Sequence, residues 1–161
     1  MNMNKILVVS DCDGCLTDGN FIYTADGKVA KIYGPHDNDG VKLLKKNNVS
    51  IQFISADGRG FAITKKRITD MKCDIMQCTE EERNKYFAQL IENNSFNKII
   101  FFGDGIHDAQ VKIDHPEIYF IVPANARKEA KDVCDYETPS VGGNGAFLDL
   151  ALHVINKFVL C

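Results

Sequence analysis

The sequence lacks the features that mark several special classes of protein. No apolar run is long enough to cross a bilayer, and the start Met1-Asn2-Met3-Asn4 is not that of a signal peptide. The formal net charge of −3 gives no reason to expect nucleic acid or an anionic membrane as a partner. Repeats, low-complexity tracts and linkers are also absent. We therefore expect one domain over residues 1–161, located in the cytoplasm.

The sequence also lacks the second C-x-x-C pair that a four-cysteine zinc site would need. The chain has six dispersed cysteines, of which only Cys12 and Cys15 form a C-x-x-C motif. A four-ligand zinc site needs two such pairs, and a thioredoxin-like redox pair should open a helix. We expect the cysteines to act as small apolar residues that fill the core.

What the sequence does contain is a pair of carboxylates at the end of an apolar strand. Residues 5–9 form a β-branched run that predicts a fully buried strand, and Asp11 and Asp13 follow it. Charges at such a place are costly unless a divalent cation neutralises them. A helix cap is disfavoured by the glycine that comes next. A calcium loop would need glycine and glutamate where Leu16 and Ile22 stand.

The rest of the chain alternates β-branched runs with helical patterns. This alternation predicts an α/β fold, a doubly wound and mostly parallel sheet. Two β-prone runs flank Asp26-Gly27, which predicts an inserted β-hairpin at about residues 20–33. Thr79-Glu80-Glu81-Glu82 is a capping box that should open a helix through Asn93. Further helices are expected at residues 126–133 and 146–159, and residues 34–40 are expected to be a loop.

More polar residues stand where other strands end or beside them. Ser55 ends a second core strand, and Asp104 and Asp108 follow the strand at residues 98–102. Lys85 lies on the helix that Thr79 opens. Carboxyl ends of parallel strands share one crevice, so these groups should converge on the first two aspartates. Carboxylates for a metal, a cation, a hydroxyl and a nucleophile are the parts that phosphoryl transfer needs. Taken singly, Ser55 could be an ordinary strand-end hydroxyl and Lys85 a solvated lysine.

Together these motifs resemble the haloacid dehalogenase superfamily of phosphohydrolases, whose first motif reads D-x-D-G. The run from Asp11 to Gly19 is similar to the capless branch that contains 3-deoxy-D-manno-octulosonate 8-phosphate phosphatases and sialic-acid-type 9-phosphate phosphatases. The resemblance implies a Rossmann-like fold without a cap domain and hydrolysis of a sugar-acid phosphate through an aspartyl-phosphate. It also implies these roles: Asp11 as nucleophile and Asp13 as general acid/base; Gly14, Ser55 and Lys85 at the phosphate; Asp37, Arg59 and Arg67 at the substrate; Mg²⁺ on Asp11, Asp13 and Asp104; and Asp108 in support.

The branch is generally tetrameric, so the resemblance also implies a homotetramer with the hairpin at the subunit interface. Three departures from the family pattern bear on the substrate. Ala56-Asp57 intervene between Ser55 and Gly58-Arg59, Gly105 replaces an aspartate, and His36 replaces an arginine. His36 and His107 are expected to be loop or surface residues.

Other functions remain open at this stage. The chain could hydrolyse a different small phosphate ester, or it could be a non-catalytic oligomerisation module like the phosphatase-like domains of sialic-acid activating enzymes. The clustered carboxylates argue against a module without chemistry. A phospho-accepting receiver domain is disfavoured because Lys85 precedes the strand that leads to Asp104.

Overall fold

Residues 5–161 are described by the computed structural model of this chain, and their apolar runs form one parallel sheet. Its strands are β1 (Ile6–Ser10), β4 (Ser50–Ser55), β5 (Ile75–Gln77), β6 (Lys98–Phe102), β7 (Tyr119–Val122) and β8 (Tyr136–Glu137). Their order is β5-β4-β1-β6-β7-β8, with every neighbouring pair parallel. Because β1 lies between β4 and β6 under helices on both faces, all five of its residues are buried. This confirms the predicted fold class.

Helices cover both faces of the sheet. They are α1 (Asp37–Lys46), α2 (Phe61–Asp70), α3 (Glu80–Glu92), α4 (Ile106–Asp114), α5 (Lys128–Lys131) and α6 (Ala146–Val154). One core cluster contains Phe53, Phe102 and Phe147, and the other contains Phe87, Phe101 and Phe120. Side chains of a strand alternate between faces, so Phe101 and Phe102 serve different cores. None of the helices within residues 5–161 has the length and apolar character needed to cross a bilayer.

The inserted hairpin forms a separate small sheet. Its strands are β2 (Phe21–Thr24) and β3 (Gly27–Lys31), which pair antiparallel within the predicted range. No cap domain is present among residues 5–161, since the hairpin is the insertion between β1 and α1. All four residues of β2 are exposed, whereas Lys31 at the end of β3 is buried. The base of the hairpin therefore contacts the body of the protein while its outer surface faces outward.

Several boundaries differ from the sequence predictions. Helix α1 begins inside the predicted loop, at Asp37, with acidic residues in its first turn that favour an early start. Helix α5 has only four residues, and the final helix passes into a π-helical turn at Ile155–Val159. The capping box is confirmed, because the side chain of Thr79 accepts a hydrogen bond from the Glu82 N–H and the side chain of Glu82 accepts one from the Thr79 N–H.

Candidate active site

An acidic cleft opens at the carboxyl edge of the sheet, where β1 and β6 end side by side. Ser10 pairs with Phe102, and the Asp11 N–H then donates to the Phe102 carbonyl, so this register brings Asp11 close to Asp104. The cleft encloses about 320 Å³. Two cationic side chains line it, Lys28 and Arg83, against six carboxylates: Asp11, Asp13, Asp57, Glu80, Asp104 and Asp108. Of the residues predicted to converge here, Asp11, Asp13, Asp104 and Asp108 line the cleft, whereas Ser55 and Lys85 do not.

Gly14 allows the two acidic strand ends to approach one another. Its φ of +83° is in the left-handed region that favours glycine, and a side chain there would collide with the carboxylate of Asp104. Its N–H donates to Thr17 Oγ1 at 3.1 Å, and its carbonyl accepts from Asn125 Nδ2 at 2.9 Å. The role of Gly14 at the phosphate stays a prediction; in this structure its N–H is bonded to Thr17, and the absence of a side chain makes room for Asp104.

A buried arginine links Asp11 to Asp108. Arg83 Nη2 donates to Asp11 Oδ1 at 3.1 Å, and Arg83 Nη1 donates to Asp108 Oδ1. Only 4% of Arg83 and 2% of Asp108 are exposed. The second oxygen of Asp108 accepts from the N–H groups of Asp104 and Gly105 at 2.9 and 3.0 Å. Asp108 thus fixes both the arginine and the loop that carries Asp104.

Burial and crowding make the two central carboxylates hard to ionise. Burial raises the pKa of Asp11 to about 8, with Asp108 and Asp104 adding to the rise and Arg83 opposing it. Burial and the nearby Asp108 together raise the pKa of Asp104 to about 7, although Arg83 opposes the rise. Burial also acts to lower the pKa of Arg83, but Asp11 and Asp108 outweigh it and hold that pKa above its usual range. The cluster therefore has more carboxylates than its own cations can neutralise.

This donor set fits a hard divalent cation. Oxygens of Asp11 and Asp104 and the sulfur of Cys15 lie within 4.8 Å of one another. Carboxylate oxygens are preferred by Mg²⁺, whereas a neutral thiol is not. Burial raises the pKa of Cys15 well above its usual value, so this side chain stays a neutral thiol. All six cysteines are free, and Cys12 and Cys15 belong to the hydrophobic core, as expected.

Asp13 is held by a lysine from the hairpin. Lys31 Nζ lies 2.8 Å from Asp13 Oδ1 and 2.9 Å from Asp13 Oδ2. The Asp13 side chain is 30% exposed and lines the cleft, while that of Lys31 is fully buried. An aspartate that is reachable from the cleft and fixed in place can exchange a proton with a bound substrate.

Of the predicted phosphate ligands, Ser55 lies directly before Ala56 and Asp57, which line the cleft, and Lys85 lies outside it. Ser55 is 1% exposed at the end of β4, where its Oγ accepts from the Asp57 N–H at 3.2 Å. Lys85 is exposed on α3 and does not line the cleft. The role of Lys85 at the phosphate stays a prediction, whereas Arg83, two residues earlier on the same helix, provides the positive charge beside Asp11.

The three predicted substrate residues also lie away from the cleft. Asp37 is 1% exposed, and its Oδ2 lies 3.7 Å from Arg67 Nη2, which donates to the Gly34 carbonyl at 2.9 Å. Arg59 is exposed on the loop before α2. Asp37 and Arg67 thus pair with each other under the base of the hairpin. Their place at the substrate stays a prediction.

Sequence reasoning missed four further cleft residues. Lys28 and Asp57 form an ion pair at 2.6 Å, and His107 Nε2 lies 2.9 Å from Glu80 Oε2. His107 is a surface residue as expected. In the sequence, Asp57 stands out as a departure from the family pattern. Nothing in the sequence around its hairpin partner, Lys28, indicates that this lysine reaches the cleft.

The described residues also contain a larger cavity of about 460 Å³ beside α6. Tyr136, His153 and Lys157 line it, and its one carboxylate, Asp149, accepts from the Ser140 N–H at 2.9 Å. It has no group of carboxylates. We therefore take the smaller cleft as the candidate active site, because its clustered carboxylates and Arg83 are the groups that phosphoryl transfer needs.

Comparison with known proteins shows which sequences and structures this chain is similar to. No family model matches the sequence. The 3-deoxy-D-manno-octulosonate 8-phosphate phosphatase of Haemophilus influenzae is 25% identical over 150 residues, which cover 92% of this chain and 81% of that protein. N-acylneuraminate cytidylyltransferase A of Danio rerio is 22% identical over 150 residues, and the chain spans only 34% of it.

Solved structures show the same fold. The cobalt-bound phosphatase of Haemophilus influenzae superimposes with a TM-score of 0.80 at 23% identity, covering 95% of this chain and 88% of that one. The phosphatase of Moraxella catarrhalis, solved with magnesium ion, phosphate ion and 3-deoxy-D-manno-octulosonate, gives 0.81 at 22% identity, covering 95% and 87%. The chain therefore shares its fold with these phosphatases, and its sequence is similar to that of the Haemophilus influenzae phosphatase, in line with the resemblance of its motifs.

Proposed function

We propose that this chain is a Mg²⁺-dependent phosphatase that hydrolyses a sugar-acid phosphate, such as 3-deoxy-D-manno-octulosonate 8-phosphate or a nonulosonate 9-phosphate. The observation that carries the proposal is the pair Asp11 and Asp104 at adjacent strand ends, tied through Arg83 and Asp108. The names of the relatives support the choice of substrate class.

In the proposed reaction Asp11 is the nucleophile and forms an aspartyl-phosphate. Arg83 orients Asp11 by holding its Oδ1 and supplies positive charge beside the phosphoryl group, which the hydroxyl of Ser55 also contacts. Asp13 protonates the leaving alcohol and then removes a proton from the water that hydrolyses the intermediate. Asp11, Asp104 and the Asp13 carbonyl would hold Mg²⁺. When bound, the cation neutralises charge on the phosphate oxygens.

We also propose that the chain works as a homotetramer in the cytoplasm. The hairpin exposes five large apolar side chains, each at least 48% exposed: Phe21, Ile22, Tyr23, Val29 and Ile32. An isolated two-stranded hairpin is marginally stable in water, and an apolar patch of this kind is typical of an interface. Six free cysteines suit a reducing compartment.

The decisive experiment measures inorganic phosphate released from a panel of sugar and sugar-acid phosphates, with Mg²⁺ and with a chelator. We expect a sugar-acid phosphate to be the best substrate and the chelator to abolish turnover. Asp11→Asn and Asp13→Asn should each lower turnover by at least about 10³-fold, because they remove the nucleophile and the acid/base. Thermal unfolding of both variants controls for loss of the fold.

A second candidate is a non-catalytic module, favoured by the likeness to the cytidylyltransferase. It predicts no phosphate release from any ester in the panel at any Mg²⁺ concentration. Preference for a phosphate ester without a carboxylate would instead leave the phosphatase intact and refute the sugar-acid substrate.

A further inference from the structure

Lys31 has a buried ammonium group in which every proton has an acceptor. Its Nζ contacts Asp13, Asp57 Oδ2 at 2.8 Å and Thr64 Oγ1 at 2.8 Å. A lysine ammonium has three donor protons, so these three partners satisfy it completely. The partners belong to the loop after β1, the loop after β4 and helix α2. The ammonium is therefore fixed from three directions, although its chain comes from the hairpin.

Asp57, the next member of the network, comes from the Ala56-Asp57 stretch that sets this chain apart from the family pattern. Besides Lys31, it accepts from Lys28 Nζ at 2.6 Å and from the Gly60 N–H at 3.0 Å. Burial alone would raise the pKa of Asp57, but hydrogen bonds from Lys28 and Lys31 hold it well below its usual range. Asp57 is thus a charged anchor that ties both lysines of the hairpin to the edge of the main sheet.

Gly60 provides independent evidence that the network is closely built. A Cβ atom at this position would collide with Asp57 Oδ2 and with side-chain carbons of Lys28 and Lys31. The φ of Gly60 is −104°, which other residues adopt readily. A side chain at this position would therefore have to displace part of the network, although the backbone conformation itself would accept one.

We propose that Lys28, Lys31 and Asp57 form a hairpin clamp that positions Asp13 for proton transfer. This inference rests on the proposed function, in which Asp13 is the general acid. Lys31 contacts both carboxylate oxygens of Asp13, and Asp57 holds Lys31 in place. Displacement of an acid by about 1 Å can slow a reaction about 10²-fold. The clamp makes proton donation depend on the docking of the hairpin.

The leaving group distinguishes positioning of Asp13 from a merely structural role. An alkoxide must be protonated as it leaves, whereas p-nitrophenolate leaves as a stable anion. Loss of a correctly placed acid therefore slows the first turnover of an alkyl phosphate far more than that of p-nitrophenyl phosphate. General loss of structure would slow both esters equally.

The test measures first-turnover rates by rapid quench for Lys31→Met, Asp57→Asn and Gly60→Ala, with both esters. We expect Lys31→Met to lose about 10²-fold on an alkyl phosphate that the wild type hydrolyses, and much less on p-nitrophenyl phosphate. Asp57→Asn and Gly60→Ala should show the same selectivity to a smaller extent. The matched control is Lys66→Met, which breaks an exposed ion pair with Asp70 and should change neither rate.

A double variant adds a second criterion. In an Asp13→Asn background, Lys31→Met should cost no further rate on the alkyl phosphate, because both substitutions remove the same proton transfer. Equal losses on the two esters, or losses that add in the double variant, would overturn the clamp. If Lys31→Met does not fold, Gly60→Ala decides the question by the same ratio. A wild-type chain that hydrolyses neither ester would instead refute the proposed function.

Discussion

Replacement of Arg83 tests most directly whether this residue, rather than Lys85, is the cation of the site. Arg83→Met keeps much of the side-chain volume but leaves Asp11 and Asp108 without their shared partner. Lys85→Met is the matched control, because Lys85 is exposed on the same helix. The two variants remove the same charge from positions two residues apart.

The magnitude follows from burial. Removing one partner of a buried ion pair typically costs about 3–5 kcal/mol, since a buried charge is left uncompensated. Arg83 and Asp108 are almost inaccessible to solvent, so we expect a loss of about this size in the free energy of unfolding. For a chain of this length that corresponds to a decrease in Tm of roughly 6–20 °C. Lys85→Met should stay within about 0.5 kcal/mol of the wild type.

Urea unfolding in the presence of a chelator measures this difference, and repetition with Mg²⁺ and at pH 6 tests its cause. The loss caused by Arg83→Met should shrink with Mg²⁺, because a bound cation again neutralises Asp11. It should also be smaller at pH 6 than at pH 8, because protonation of the orphaned carboxyls removes the uncompensated charge. Turnover should fall at least about 10²-fold for Arg83→Met and remain unchanged for Lys85→Met. A stable, active Arg83→Met protein beside an inactive Lys85→Met protein would refute the reasoning.

Three further predictions concern the metal and the hairpin. Ca²⁺ added after chelation should not restore the phosphate release that Mg²⁺ restores, because its larger and looser shell does not impose octahedral geometry; equal rates with both ions would contradict this. Burial raises the pKa of Asp11 to about 8 and that of Asp104 to about 7, from the ordinary value of 3.8. Because the unfolded chain releases these protons at lower pH than the folded chain, the metal-free protein should lose stability as the pH rises from about 6 to about 8.5. The increase in Tm on adding Mg²⁺, measured by scanning fluorimetry, should therefore grow over that range, and an increase that is the same at pH 6 and 8.5 would argue against this cluster as the metal site. Ile32→Ser should reduce the assembly to smaller species in light scattering, whereas Leu152→Ser, another exposed apolar position, should not; a wild-type monomer with full activity would contradict the tetramer.

The clearest difference between sequence and structure lies on helix α3. Arg83 and Phe87 are four residues apart and share the buried face of the helix, whereas Lys85 is rotated about 200° from Arg83. Attention to this periodicity would have selected the arginine from the sequence alone. The family motif favoured the lysine instead, and motif spacing carries no information about which side of a helix faces the site.

The sequence by itself determined the sheet and the acidic centre of the site. Short apolar runs with helices between them dictate parallel strands, and polar residues at the ends of those strands must meet at one edge. Asp11, Asp13 and Asp104 could therefore be placed together before the structure was known. The glycine after Asp13 marked the sharp turn that their approach requires.

Only the tertiary structure decided what surrounds that centre. The hairpin is a separate sheet that shares no backbone ladder with the main one, so no strand register predicts where Lys31 comes to lie. Its contacts with Asp13 and Asp57 join residues 18 and 26 positions apart through side chains alone. Asp37 was likewise buried against Arg67 by the packing of the hairpin base, not by any local pattern. Strand ends follow from chain geometry, whereas contacts between separately folded elements depend on how those elements dock.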